Sequence, residues 1–172
     1  MFSKYDYPGL TLLDVDHTII DTYRCVKENQ DVFKSKVNLE KNYRFFENDD
    51  LIEIKEDIFL LDKISFHKKY IKEFITDTVL RISENILVVT KRPKMNPRLF
   101  LTVFSEMRNK LQGVINVRTD IDKKYLLDVY PNVKFIFDDN LFLEENEVPL
   151  DCIFYQIDPV KDSFKKITGG FS

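Results

Sequence analysis

Leu10-Thr11-Leu12-Leu13-Asp14-Val15-Asp16-His17-Thr18 is the stretch on which the reading of this chain turns. It follows the turn pair Pro8-Gly9, runs mostly apolar for four positions, and then presents two carboxylates two residues apart. A short apolar run between polar turns suits a strand of a parallel sheet, covered on both faces. In open α/β sheets ligands bind beyond the carboxyl ends of the strands. Two carboxylates at such an end serve a core badly and serve a metal site or an acid/base pair well. Alone, the pair reads equally as a solvated acidic turn, so its meaning depends on the other strands.

Four more runs of the same kind follow: Ile86-Leu87-Val88-Val89, Gly113-Val114-Ile115-Asn116-Val117, Val133-Lys134-Phe135-Ile136-Phe137 and Cys152-Ile153-Phe154-Tyr155-Gln156-Ile157. Helical patterns lie between them. Ile71, Phe74, Ile75, Val79 and Ile82 recur at helical spacing ahead of the second strand. Asn96-Pro97 has the form of an N-cap followed by proline at the first helical position. Leu99, Phe100, Val103, Phe104, Met107 and Leu111 then make one apolar stripe. Asp122 is the expected cap of a helix carrying Tyr125, Leu126, Leu127 and Val129 and stopped by Pro131. Strand alternating with helix predicts right-handed crossovers and a mostly parallel sheet. The fold expected is therefore α/β, a three-layer α/β/α Rossmann-like arrangement.

Residues 22–60 break the alternation. They are rich in Lys, Glu, Asn and Asp, with a weak helical pattern at 26–36 and a weak strand pattern at 51–55. The segment reads as a small cap inserted after the first strand of a single domain. Thr168-Gly169-Gly170-Phe171-Ser172 reads as a frayed tail.

The chain has 172 residues, enough for one domain with a sizeable core. It is 44% hydrophobic and 32% charged, with a formal net charge of -3. That mild acidity argues against a protein whose task is to coat nucleic acid. Cys25 and Cys152 form no CxxC pair, and with His17 and His67 they make no zinc-ligand spacing. They read as buried or half-buried thiols in a reducing compartment. The sequence has no apolar run near the ~20 residues that span a bilayer and no signal-peptide pattern at its start, so a cytoplasmic protein is expected.

The chemistry gathers at strand ends. The fourth strand runs into Asp138-Asp139-Asn140, and two adjacent carboxylates delivered by an apolar strand call for a cation to offset their repulsion. The second strand ends in the hydroxyl of Thr90. Lys123 and Lys124 stand at the start of the helix before the fourth strand. Carboxylate, hydroxyl, ammonium and carboxylate would converge on one crevice.

This series resembles the haloacid-dehalogenase-like (HAD) hydrolase superfamily over residues 10 to about 157, apart from the insertion. Asp14, Asp16 and Thr18 match the family's D-x-D-x-T, Thr90 its second motif, Lys123 or Lys124 its lysine, and Asp138 with Asp139 its acidic pair. The family usually has glycine where this chain has His17. That histidine reads either as an exposed turn residue or as a substrate contact. Lys123 is the preferred lysine, because it sets Leu126 and Leu127 three and four residues on.

The resemblance implies a Mg2+-dependent phosphomonoesterase. Asp14 would attack phosphorus and form an aspartyl-phosphate. Asp16 would protonate the leaving oxygen and then deprotonate the attacking water. Thr90 and Lys123 would hold the transferring phosphoryl oxygens. Mg2+ would be held by the Asp14 and Asp138 carboxylates and the Asp16 backbone carbonyl, with Asp139 binding through water or orienting the other ligands. Thr18, Lys91 and Arg92 would contact the substrate.

Lys91, Arg92, Lys94 and Arg98 crowd the stretch after Thr90. They read either as a solvated loop or as a second anion site. Tyr43, Arg44, Phe45 and Phe46 of the insertion would reach a base or sugar, or pack a cap core. The expected substrate is a nucleotide or another small phosphorylated metabolite. The alternatives are a phosphatase of polynucleotide 3' or 5' ends and a vestigial binding or regulatory protein.

Overall fold

The computed structural model describes residues 5–29, 31–32 and 58–169. Most of the 22–60 segment, including the 51–55 strand pattern and Tyr43 to Phe46, lies outside the described residues. Six strands form one sheet: β1 (Leu10–Leu13), β2 (Asn85–Thr90), β3 (Leu111–Asn116), β4 (Val133–Asp138), β5 (Ile153–Ile157) and β6 (Phe164–Thr168). Their order is β3-β2-β1-β4-β5-β6. The first five run parallel, and β6 pairs antiparallel with β5. The fold is thus α/β with a mostly parallel sheet. Sequence reading missed β6, whose Phe164-Lys165-Lys166-Ile167-Thr168 has too little apolar character to signal a strand. It forms because Ile167 and Phe164 pack onto the sheet's two apolar clusters while the lysines face water. The strand takes in Thr168, which corrects the expectation of a frayed tail at that residue.

Five α-helices are described: α1 (Thr22–Glu28), α2 (Ile58–Ser65), α3 (Glu73–Ile82), α4 (Pro97–Leu101) and α5 (Asp120–Val129). Strand residues alternate between two cores. Leu13, Val88, Phe137 and Tyr155 join Ile75 and Val79 of α3 and Phe100 of α4 in one. Leu12, Leu87, Val89, Ile136 and Phe154 join Leu126 of α5 in the other. This is why the strands read as nearly continuous apolar runs: each faces hydrocarbon on both sides. The one polar residue inside β1, Thr11, is satisfied by the Ser83 hydroxyl at 2.7 Å.

Three helix assignments change. The weak helical pattern at 26–36 meets α1 only over its first three residues, since α1 runs Thr22–Glu28; residues 30 and 33–36 lie outside the described ones. The stripe from Leu99 to Leu111 is not one helix. α4 stops at Leu101, a 3-10 turn covers Ser105–Met107, and Leu111 begins β3. Phe100, Phe104 and Met107 stay buried across the break. Pairing with β2 claims the backbone from Lys110 onward, where the carbonyl accepts from the Ile86 amide at 2.8 Å. The cap of α5 is Thr119, not Asp122. Asp122 is the third helical residue and closes a capping box, its carboxylate accepting from the Thr119 amide at 3.2 Å. The expected cap at Asn96 is present, with Oδ1 accepting from the Leu99 amide at 2.9 Å.

The chain leaves β1 for β2 and β3 on one side, then crosses to β4 and β5 on the other. A sheet that reverses direction in this way opens a crevice at the carboxyl ends of the two strands flanking the reversal, here β1 and β4. Leu13 lies opposite Val88 and Phe137. Asp14, Thr90 and Asp138 therefore emerge at one edge of the sheet within two residue steps of each other.

Candidate metal and phosphate site

Asp14 leaves β1 with its amide donating to the Phe137 carbonyl at 2.9 Å, so the strand pairing itself sets the acid beside β4. The carboxylates of Asp14, Asp138 and Asp139 each offer an oxygen, and these lie within 4.8 Å of one another. All three residues are buried. The Lys123 ammonium stands among them, donating to Asp138 Oδ2 at 2.5 Å and to Asp14 Oδ1 at 3.3 Å. Burial and the Asp138 charge push the Asp14 carboxyl up to about 7 despite Lys123. Burial alone would lower the Lys123 ammonium, but Asp138 and Asp14 outweigh it and hold the lysine firmly protonated. Helix geometry sorts the lysine pair: Lys123 faces the carboxylates, while Lys124 is half-exposed and pairs with Glu147.

Three clustered carboxylate oxygens could hold a hard cation, which prefers oxygen ligands. The donor set holds no sulfur or imidazole, so a soft metal is a poorer match.

The turn after β1 is built for rigidity. Thr18, expected to touch substrate, is fully buried and braces the loop instead. Its hydroxyl donates to Asp14 Oδ2 at 2.8 Å and accepts from the Asp139 amide at 3.0 Å. His17, expected as an exposed turn residue or substrate contact, is buried, with φ of +65°. A left-handed φ is what glycine supplies without strain, and histidine is among the side chains that tolerate it. The His17 carbonyl accepts from Lys72 Nζ at 2.7 Å, and the same ammonium reaches the Asp158 carbonyl at 2.7 Å. Burial pulls Lys72 down to about 8, with Asp21 and Asp139 opposing. Asp162, in the β5–β6 connection, caps α3 by accepting from the Phe74 and Ile75 amides. Nothing in the local sequence around Lys72 or Asp162 announces either role.

Asp16 sits in a different setting. Its carboxylate is gripped by the Arg92 guanidinium, with Nη2 to Oδ1 at 2.5 Å and Nε to Oδ2 at 3.2 Å. Thr22 adds a hydroxyl donor to Oδ1 at 2.6 Å. Burial would raise this acid, but Arg92 outweighs burial and the carboxyl lies below the ordinary carboxylate range. The side chain of Asp16 is not among the three clustered carboxylates.

The basic loop divides rather than forming one anion site. Arg92 is fully buried, so its reading as a substrate contact is corrected: three carboxylate and hydroxyl partners hold it inward. Lys91 pairs with Asp120 at 2.8 Å, and Asp120 in turn accepts from Asn140 Nδ2 at 2.5 Å, so Lys91 links the β2, β4 and α5 ends. Lys94 and Arg98 stay exposed. Thr90 is fully buried at the end of β2, its hydroxyl accepting from the Arg92 amide at 3.0 Å. Sequence reading overlooked Thr22, Asp62, Ser65, Lys72 and Asn140, each an ordinary polar residue until the fold gives it a partner.

Among the described residues, no helix is long and apolar enough to cross a membrane. No protein-family model matches the chain, and no curated protein matches it at a significant level.

Proposed function

We propose that this chain is a Mg2+-dependent phosphomonoesterase of the HAD-like kind, a three-layer Rossmann-like domain that attacks phosphate esters with Asp14. The observation that carries the reading is the convergence of Asp14, Asp138 and Asp139 within 4.8 Å around the Lys123 ammonium, at the carboxyl ends of the strands flanking the reversal. Structural acidic turns lie on the surface, where water screens them. These three are buried, with Lys123 among them and Lys72 near Asp139 as the positive charge set against them.

Mg2+, held by Asp14, Asp138 and the Asp16 carbonyl with Asp139 behind, would offset the charge of a phosphate dianion and orient it. An Asp14 carboxylate oxygen bonds to phosphorus as the ester P–O bond breaks. The leaving oxygen would take a proton from Asp16, which has to be protonated first, its carboxyl lying below the ordinary range while Arg92 grips it. Water then attacks the phosphoryl group, gives a proton to Asp16, and the P–O bond to Asp14 breaks to release phosphate. Thr90 and Lys123 would hold the equatorial oxygens.

A nucleotide or another small phosphorylated metabolite is the favoured substrate, in a cytoplasm that keeps the buried Cys25 and Cys152 thiols reduced. With Arg92 turned inward and Lys91 paired, the loop after β2 offers less to a polynucleotide end than its sequence implied. The exposed Lys94 and Arg98 are what remain for that second substrate class. The deciding experiment is hydrolysis of 4-nitrophenyl phosphate with and without Mg2+, by wild type and Asp14→Asn. Turnover that needs Mg2+ and Asp14 upholds the reading. A folded wild type with no turnover on this ester, on nucleotides or on phosphorylated oligonucleotides would leave a binding protein instead.

A further inference from the structure

Asp139 belongs to two features at once. It is one of the three carboxylates clustered around Lys123. It also lines a cleft of about 400 Å³ where β4 and β5 end and β6 begins, together with Gln156, Asp158, Ser163, Phe164 and Lys165. Strand register lays this cleft beside the acids. Gln156 pairs with Asp138 across β4 and β5, and with Lys165 across β5 and β6. Opposed residues project to the same face of a sheet, so carboxylate, carboxamide and ammonium form one row. Strands lie about 4.8 Å apart, which sets Lys165 roughly 10 Å from Asp138 along that row. The wall is organised by its own hydrogen bonds. Asp158 Oδ1 accepts from the Val160 and Lys161 amides at 2.9 and 3.0 Å, and the Asp158 amide donates to the Ser163 carbonyl at 2.9 Å. Lys72 ties the Asp158 carbonyl to the His17 carbonyl, so the wall is fastened to the turn that carries Asp14 and Asp16.

Resting on the phosphatase reading, we infer that this cleft takes the organic part of the phosphate ester, and that this part is an uncharged polyhydroxylated chain or ring, as in a polyol or sugar phosphate. The charges of the lining argue against a second anion. The Asp139 and Asp158 carboxylates stand there against the single ammonium of Lys165, and like charges brought together are costly. Hydroxyls meet no such repulsion. Each is both donor and acceptor, and the Gln156 carboxamide, the Ser163 hydroxyl, the ammonium and the carboxylates offer partners of both kinds. A nucleoside base calls instead for an aromatic face. Phe164 lines the cleft, but its ring is stacked on Phe74 at 5.5 Å and met edge-on by Tyr155 at 5.0 Å. A site that hydrogen-bonds hydroxyls rejects an analogue lacking them, because its own polar groups are then left without partners.

The test measures kcat/KM with Mg2+ on sorbitol 6-phosphate, hexyl phosphate, 6-phosphogluconate and adenosine 5'-monophosphate, for wild type, Gln156→Leu and Lys165→Met. Sorbitol 6-phosphate and hexyl phosphate share a six-carbon chain and a primary ester, and differ in the hydroxyls. Wild type should favour the first by at least about tenfold. Gln156→Leu should cut that preference by roughly fivefold and Lys165→Met by roughly threefold. Lys165 is exposed, so its variant carries the test if Gln156→Leu does not fold. 6-Phosphogluconate adds a carboxylate at the far end of the same chain and should be no better than sorbitol 6-phosphate. Equal values on sorbitol 6-phosphate and hexyl phosphate, or a preference that both variants keep, would overturn the inference. A wild type that favours 6-phosphogluconate or adenosine 5'-monophosphate would overturn it too, making the cleft a second-anion or a nucleoside site. 4-Nitrophenyl phosphate separates the two levels. A wild type that hydrolyses it yet fails these comparisons overturns this inference alone, and one inactive on every ester overturns the phosphatase reading beneath it.

Discussion

Asp14 and Asp16 leave the same strand two residues apart, yet their surroundings treat them in opposite ways. Around Asp14, three buried carboxylates share one ammonium, and the carboxyl is pushed up to about 7 by burial and Asp138. Around Asp16, a guanidinium fork and a threonine hydroxyl overcome burial and keep the carboxyl low. The first cluster gathers three acids around Lys123. The second is satisfied within the chain.

Removing the attacking oxygen should break the comparison most severely. Asp14→Asn should cut turnover of any phosphate ester by roughly a thousandfold or more, since the covalent route is lost. Circular dichroism and thermal unfolding should stay near wild type. Near-normal turnover in that folded variant would remove Asp14 from the mechanism.

The next effect separates the two clusters by their appetite for cations. Mg2+ should raise the unfolding temperature of the wild type, by the linkage that gives about 2.7 kcal/mol at a hundred times Kd. Asp138→Asn should abolish most of that rise, whereas Asp62→Asn, in the satisfied cluster, should preserve it. Calorimetric titration with Mg2+ makes the same comparison directly. Equal Mg2+ response in both variants would place the cation elsewhere.

Lys72 sharpens the contrast from the supporting side, because it holds the turn carrying both acids. Its folded value near 8 lies below the ordinary 10.5, so between those values the unfolded chain binds more protons than the folded one. Stability attributable to this residue therefore rises with pH through that window. Relative to Lys72→Met, the wild type should gain on the order of 1–3 kcal/mol between pH 8 and 10.5. Urea denaturation of both proteins across that range provides the check, and a flat difference would mean that Lys72 is not desolvated.

The smallest effect is expected at the rim. Lys94→Ala with Arg98→Ala should leave 4-nitrophenyl phosphate hydrolysis unchanged. It should lower kcat/KM for a phosphorylated oligonucleotide by roughly two- to fivefold, since exposed ionic contacts are weak, and the loss should fade as salt rises. No effect on either substrate would leave the nucleotide or small-metabolite reading without a rival.

The sequence by itself determined the five parallel strands and the acids at the ends of β1 and β4, and by helix spacing it favoured Lys123 over Lys124. These are local: two-sided burial writes apolar runs, and the helical period sets which neighbouring lysine faces the sheet. Only the tertiary structure decided the length of α4, since pairing with β2 takes residues whose spacing alone favours a helix. Only it buried His17 and Thr18, placed β6 at the edge, and turned Arg92 from a loop cation into the partner of Asp16. A charged residue near a catalytic strand reads as solvated when its partners are unseen. Asp16 stands 76 positions from Arg92 and Asp62 stands 30, and no local pattern links residues at such separations. The cost of leaving a buried charge unpaired chooses the partner, and that choice exists only once the strands have brought the two acids and the guanidinium together.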